Sequence, residues 1–133
     1  MHVRTAGPDD ALEVRRILDA AMLEPGDVEA RIDGGDVFVA GDRRGEGSSE
    51  RILGALVCEP RGRGAHVAAV GVRRRHRGQG IGRRLVERAL ERERRLTARF
   101  DDGVRPFYEA LGFAIEPIDE SRHRGVAVAD RGK

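Results

Sequence analysis

The sequence predicts one mixed α/β (α+β) domain covering residues 1–133. A chain of 133 residues has the usual length of a single compact domain. Short apolar, β-branched segments typical of strands alternate with amphipathic segments typical of helices. No internal repeat and no linker-like stretch divides the chain. The predicted order of elements is therefore roughly β-αα-βββ-α-β-α-ββ.

The first part of the chain predicts one strand and two helices. Residues 3–5 are a candidate edge strand. Pro8 and the two aspartates after it are typical of a helix start, because proline fits the first turn and acidic groups interact well with the positive end of the helix dipole. Apolar residues then continue at helical spacing. A shorter helix is predicted over residues 27–33, where two glycines end it.

Three strands are expected next, over residues 37–40, 52–58 and 65–72. A polar, glycine-rich loop at 41–50 joins the first two. A turn at 60–64, rich in glycine and arginine, joins the second and third. The third strand is the most apolar in the chain, which predicts that it lies inside the sheet.

The second half of the chain begins with a glycine-rich turn and a long amphipathic helix. The apolar stripe of this helix consists of Ile81, Leu85, Val86, Ala89 and Leu90. Nearly all its other positions are arginine or glutamate. The elements predicted after it are a strand at 96–100, a short helix at 106–111, and a closing hairpin with strands at 113–118 and 125–129.

Composition narrows the function classes. Lys133 is the sole lysine among 25 basic residues, asparagine is absent, and the formal net charge is only +2. This skew is typical of a compositional bias, so arginine runs are weak evidence for nucleic-acid binding. The single cysteine, Cys58, excludes an intrachain disulfide and a cysteine-based zinc cluster, and its apolar setting predicts a core residue.

The sequence also predicts where the protein acts. The first residues carry no apolar signal stretch, and no apolar run approaches the length of a membrane span. We therefore expect a cytoplasmic protein that has no membrane partner.

A glycine-rich turn at residues 77–82 is the most informative feature. Glycines at 78, 80 and 82 follow an apolar strand and open the amphipathic helix. Such a turn lets several backbone N–H groups point at one anion, with the helix dipole adding to the attraction. The pattern therefore predicts a cradle for a diphosphate.

A P-loop is excluded because it needs a lysine here. A dinucleotide-binding turn stays open, since Asp101 follows at a suitable distance although Arg83 occupies the place of the third glycine.

Two motifs resemble those of the GCN5-related N-acetyltransferase (GNAT) family. Arg77, Gly80 and Gly82 match its Arg/Gln-x-x-Gly-x-Gly/Ala motif, and the segment Phe-Tyr-Glu-Ala-Leu-Gly-Phe at 107–113 is similar to its second motif. The resemblance implies a GNAT-like domain with a central, mixed but mostly antiparallel twisted sheet of six to seven strands and about four helices. It also implies acetyl-CoA as acetyl donor. The residues it places at the cofactor are Val70, Gly71, Val72, Arg77, Gly78, Gln79, Gly80, Ile81, Gly82 and Asp101.

The resemblance further implies acetyl transfer by direct attack of a neutral primary amine on the thioester. Tyr108, the only tyrosine, would be the acid that protonates the departing thiolate. His66 and Glu59 are the candidate general bases, and a water chain without a single base is the other option. Asp101 stands where many relatives have asparagine, which puts that contact in doubt. The stretch between the first predicted helix and Val37 is short, and because this region helps form the acceptor site in the family, the resemblance implies a reduced or open acceptor pocket.

Other function classes stay open at this point. A non-catalytic acyl-CoA-binding or interaction domain would keep the same fold. An arginine-rich nucleic-acid-binding module is disfavoured, because glutamates interrupt the basic face of the long helix. The histidines show no metal-ligand spacing and no serine lies in a hydrolase elbow, so neither a metal site nor a hydrolase is expected. Members of the family often form dimers, so a homodimer is a further expectation, and the expected acceptor is an amine of a small molecule or of a protein.

Overall fold

The computed structural model describes residues 1–24, 26–42 and 50–129. These residues form one seven-stranded sheet in the order β1-β2-β3-β4-β5-β7-β6. The strands are β1 (His2–Thr5), β2 (Val37–Asp42), β3 (Arg51–Pro60), β4 (Ala65–Val72), β5 (Arg95–Asp101), β6 (Ala114–Pro117) and β7 (Arg122–Val128). The helices are α1 (Ala11–Ala20), α2 (Val28–Asp33), α3 (Ile81–Glu93) and α4 (Arg105–Ala110). The predicted fold class and order of elements are confirmed.

Local differences from the prediction have simple causes. Helix α1 begins at Ala11 because Pro8–Asp10 forms a separate 3₁₀ turn. Strand β3 continues through Pro60 because its last residues pair with the start of β4. In the predicted loop at 41–50, the first two residues belong to β2, and residues 43–49 lie outside the described residues.

One strand pair is unlike the others. Strands β4 and β5 are parallel and are paired only at Ala65–Leu96 and His66–Thr97, whereas every other neighbouring pair is antiparallel. Beyond these two pairs the strands diverge and leave a V-shaped gap. A register shift places Cys58 opposite Val67 and Val57 opposite Ala69, so Ala68 is an extra residue that bends β4. This mostly antiparallel sheet excludes the doubly wound parallel fold that a dinucleotide-binding turn requires.

Helices cover the sheet on both faces. Helix α3 packs on one face against β1 to β5, over a core that includes Phe38, Leu56 and Leu85. Helices α1 and α2 pack on the other face against β2, β3 and β4, around Val14, Leu18 and similar residues. Neither these helices nor any other helix in the described ranges combines the length and apolar character needed to cross a bilayer.

Candidate functional site

The V-shaped gap between β4 and β5 opens beside the glycine-rich turn. One edge of β4 pairs with β3 from Gly54–Val72 to Pro60–Ala65. Its other edge pairs with β5 only at its start. The backbone N–H and C=O groups that face the gap around residues 70–72 are thus available to a bound molecule.

The turn has the conformation that its glycines predict. Gly78 and Gly80 have φ values of 79° and 83°, in the left-handed region that favours glycine. A Cβ atom at either position would meet nothing within 4 Å, so both face open space. Gly80 is the N-cap residue of α3. The first N–H groups of α3, which have no partner inside the helix, therefore point toward this space with the positive end of the helix dipole.

Gly82 and Ile81 have different roles from the neighbouring glycines. A Cβ at Gly82 would lie 3.3 Å from the Phe107 ring, so a larger residue there would press on that ring, and glycine allows the close approach of α4 to α3. The Ile81 side chain is buried in the core under α3. Only the backbone N–H groups of these two residues can contribute to an anion site.

Arginine side chains hold the turn in place. Arg73 Nε donates to the carbonyl of Ile52 at 2.6 Å, and its guanidinium also pairs with Glu13 on α1. Arg77 Nε donates to the carbonyl of Val72 at 3.1 Å. The guanidinium of Arg77 thus fastens the turn to the end of β4.

A groove of about 760 Å³ runs along the gap and past the turn. Eight of the predicted cofactor-binding residues line it: Val70, Gly71, Val72, Arg77, Gly78, Gly80, Ile81 and Gly82. Nine further residues complete the lining: Ala21, Leu23, His76, Arg83, Gly103, Val104, Phe107, Ala110 and Leu111. Arg83 follows the glycine-rich turn, and Phe107, Ala110 and Leu111 lie in the second motif, so the sequence carried a signal for these four.

A second cavity, of about 560 Å³, adjoins the turn on its α1 side. It shares Val72, His76 and Arg77 with the groove and is otherwise lined largely by arginines: Arg16, Arg51, Arg73, Arg74 and Arg75. An anionic ligand in the groove would therefore meet a positive potential on this side.

Two predicted cofactor-binding residues lie elsewhere. The Asp101 carboxylate accepts hydrogen bonds from the N–H groups of Gly103 (3.0 Å) and Val104 (3.3 Å), and so holds the turn that leads into α4. A carboxylate serves this purpose as well as the amide oxygen of asparagine. Gln79 is an exposed residue of the glycine-rich turn. Neither Gln79 nor Asp101 is among the described residues that line the groove.

Tyr108 lies on α4 in a cluster of aromatic rings. Its ring stacks on Phe100 with 4.4 Å between centroids and makes edge contacts with Phe107 and Phe113. Only 4% of the residue is exposed. Burial raises the pKa of its phenol to about 12, so the hydroxyl keeps its proton at physiological pH. Phe107, its neighbour on α4, lines the groove, whereas Tyr108 is not among the described residues that line it.

His66 and Glu59 lie together at the narrow end of the gap. Glu59 on β3 and His66 on β4 are direct cross-strand neighbours. Both line a cavity of about 280 Å³ together with Arg61, Thr97 and others. His66 Nδ1 and Thr97 Oγ1 are 2.8 Å apart and share a hydrogen bond. When Nδ1 donates in this bond, Nε2 is the basic nitrogen. Burial, assisted by Arg61, lowers the pKa of His66.

Other candidate chemistries gain no support. Within the described part of the chain, no group of His, Cys, Asp and Glu side chains could hold a metal ion. Cys58 is fully buried in the core, as predicted, and burial raises the pKa of its thiol to about 12. Ion pairs with Glu87 and Glu91 occupy Arg83 and Arg88 of α3, which reduces the charge that this helix offers to nucleic acid.

Residues 33–115, more than half of the chain, match the family model described as "Acetyltransferase (GNAT) domain". No curated protein matches the sequence.

Several solved structures share the fold at low sequence identity. Arabidopsis thaliana NAA60, in complex with acetyl-CoA, is 17% identical with a TM-score of 0.79, over 96% of this chain and 99% of that one. Rv2747 from Mycobacterium tuberculosis, in complex with CoA and NLQ, is 15% identical with a TM-score of 0.77, over 97% and 99%. Ard1 from Thermoplasma volcanium is 19% identical with a TM-score of 0.73, over 96% and 97%.

Proposed function

Because the chain belongs to the GNAT family of acetyltransferase domains, we propose that it moves the acetyl group of acetyl-CoA to a primary amine. One observation carries this proposal. The left-handed turn at Gly78 and Gly80 faces open space at the wide end of a groove between two diverging strands. Two of the similar structures were solved with CoA or acetyl-CoA bound. Acetyl-CoA is therefore the donor we propose for this groove.

The groove suits both ends of the cofactor. Backbone N–H groups of residues 78–82 and the dipole of α3 would hold the diphosphate. The pantetheine arm would run along β4. Because β5 no longer pairs with β4 at residues 70–72, the backbone groups on this free edge can form hydrogen bonds with the arm. Asp101 and Gln79, which the resemblance also placed at the cofactor, would act only through the loops that they occupy.

The chemistry needs an acid, a neutral amine and no covalent enzyme intermediate. An N–H group on the free edge of β4 would polarise the thioester carbonyl as the amine attacks it. We propose Tyr108 as the proton donor to the departing thiolate, because its buried phenol is protonated at working pH. A primary amine with a pKa near 10 is mostly charged at neutral pH, so a base or a water chain must take up its proton.

We propose His66 as that base, with Glu59 as its neighbour. The lowered pKa of His66 keeps the imidazole neutral near pH 7. We expect kcat/KM to stay level as the pH falls toward 6.5 and to decline only below that. His66→Ala should lower kcat/KM about 10- to 100-fold and remove this decline. Initial rates of thiol release at amine concentrations below KM, measured across the pH range, check both effects. A variant with the same decline as the wild type would exclude His66, and Glu59→Gln then becomes the informative variant.

A two-part experiment tests the proposed function. Calorimetry with CoA should show a complex of micromolar affinity or tighter, and thiol release from acetyl-CoA should depend on an added amine. Turnover without amine, measured in parallel, gives the hydrolysis background. A CoA complex without turnover on any amine would identify the non-catalytic acyl-CoA-binding domain. No CoA binding, together with nucleic-acid binding that falls steeply with salt, would contradict the enzyme altogether.

A single domain over residues 1–133, a cytoplasmic location and a homodimer remain predictions from the sequence.

A further inference from the structure

We propose that the acceptor amine also carries a carboxylate, which binds in an arginine-lined cleft next to His66. This inference rests on the proposed function and specifies the substrate class of the same site. We call the surface the arginine cleft. Its basic residues are Arg61, Arg63, Arg95, Arg99 and Arg124, and they line two adjoining cavities of about 280 and 410 Å³.

The cleft lies on the sheet face opposite α3. On β5, Leu96 and Phe100 point into the core under α3, so Thr97 and Arg99 between them point to the other face. The same alternation places His66 and Arg124 on that face. Helices α1 and α2 pack farther along the sheet, on β2, β3 and β4. The side chains of Arg99 and Arg124 are accordingly exposed.

Two arginines face each other across neighbouring strands. The register pairs Arg99 of β5 directly with Arg124 of β7. Like charges in this relation destabilise a sheet. Within the described residues, no carboxylate forms an ion pair with Arg99, and Arg124 has only Glu116 at 3.5 Å. A bound anion between the two guanidinium groups would relieve the repulsion, and a carboxylate matches the fork of an arginine.

The arginine cleft differs from much of the arginine-rich surface. Many arginines outside it face acidic partners, as in Arg15–Glu29, Arg83–Glu87, Arg88–Glu91 and Arg105–Glu109, although the cavity on the α1 side of the glycine-rich turn is also lined largely by arginines. In the arginine cleft five guanidinium groups surround a space whose lining contains one carboxylate, Glu59, and that carboxylate pairs with Arg61 at 3.1 Å. The field reaches His66: after burial, Arg61 and then Arg99 and Arg124 lower its pKa, and Glu59 opposes them.

The cleft is well placed for an acceptor. The His66–Thr97 pair marks the narrow end of the gap, and the strand rise places His66 about 13 Å from Val70 along β4. The described lining of the groove includes Val70 but not His66, so the acceptor amine would lie between a thioester beside Val70 and the base. A carboxylate bound between Arg99 and Arg124 would hold its amine on the same side as His66. A free amino acid and an acidic side chain near a peptide N-terminus offer the same group.

Binding to CoA-saturated protein tests the proposal without relying on turnover. The probes are two matched pairs, measured by calorimetry: alanine against alanine amide for a free α-carboxylate, and Ser-Glu-Glu amide against Ser-Gln-Gln amide for acidic side chains. We expect the charged member of one pair to bind at least about tenfold tighter than its neutral partner. The pair that shows the preference identifies the source of the carboxylate.

Variants connect the preference to the cleft. Arg99→Gln with Arg124→Gln should reduce the preference to less than about threefold. The single variant Arg99→Gln should reduce it partly and should not lower Tm, because it removes a like-charge pair. Arg88→Gln, on the outer side of α3, is the matched control and should keep the full preference. CoA affinity should not change in any of these proteins.

The outcomes separate this inference from the proposed function. If the wild-type protein does not bind CoA, the proposed function is wrong. If CoA binds normally, three results would contradict the arginine cleft alone. These are equal affinity for the charged and neutral probes, no binding of any probe, and a preference that survives in the double variant.

Discussion

Replacing Gly80 by aspartate is expected to weaken CoA binding at least about 100-fold. The position has a φ of 83° and faces open space at the start of α3. An aspartate there would place its carboxylate where the diphosphate is expected, beside the same N–H groups. Placing like charges together in a binding site costs several kcal/mol, and each 1.4 kcal/mol is about tenfold in affinity. Calorimetry with CoA measures the loss.

Gly80→Asn is the matched control, because asparagine has nearly the same shape and also tolerates the left-handed conformation. We expect it to weaken CoA binding only about tenfold, so that the difference between the variants reports charge. The aspartate variant should melt no lower than the asparagine variant, since a carboxylate at this helix end interacts well with the dipole. Equal affinities for CoA in the two variants would contradict the anion cradle.

Gly82→Asp is a poorer test of the same idea. The sequence alone makes the three glycines look equivalent. In the structure, a side chain at Gly82 would press on Phe107, whereas Gly78 and Gly80 have room. A loss of binding in a Gly82 variant would therefore mix displaced packing of α4 with the effect on phosphate.

The order of elements was predictable because its signals are local. Strand β4 begins and ends where its apolar run does, at Ala65 and Val72. Longer strands needed partners that the local sequence does not reveal: Glu59 and Pro60 belong to β3 because they pair with His66 and Ala65. The brief pairing of β4 with β5, and the extra residue at Ala68, depend on contacts between distant segments.

The same difference between local signals and contacts of distant segments applies to the candidate site. The glycine-rich turn was predictable, because glycine has a distinct backbone preference that shows in the sequence. The α4 wall of the groove was predictable only in part: Phe107 lies in the second motif, but its place against Gly82 of α3 depends on packing between distant segments. The arginine cleft was also hidden, because Arg61, Arg99 and Arg124 come from three segments and meet His66 only through strand register.

Replacing Tyr108 by phenylalanine is expected to lower kcat about 100-fold and to leave acetyl-CoA affinity within about twofold. Phenylalanine keeps the ring that stacks on Phe100 and touches Phe107 and Phe113. The variant therefore removes the hydroxyl and little else. Single-turnover thiol release, together with calorimetry for acetyl-CoA, separates the chemical step from binding.

The size of the effect reflects the proton that the departing thiolate needs. Burial raises the pKa of Tyr108 to about 12, so its hydroxyl carries a proton at working pH. A thiol in water has a pKa of about 8.5, so the phenol gives up its proton only to a sulfur held next to it. The position of the hydroxyl beside the departing sulfur is therefore the condition for acid catalysis by Tyr108.

A second variant distinguishes the hydroxyl from the packing of its ring. Phe113→Leu loosens an edge contact to Tyr108 but keeps the phenol, so we expect kcat to fall less than about tenfold. Tyr108→Phe should also abolish the solvent deuterium isotope effect on thiol release, because its proton donor is gone. If Tyr108→Phe keeps more than half of the wild-type kcat, or if both variants lose the same amount, the proton reaches the thiolate from water. The aromatic cluster would then have only a structural role, in the packing of α4.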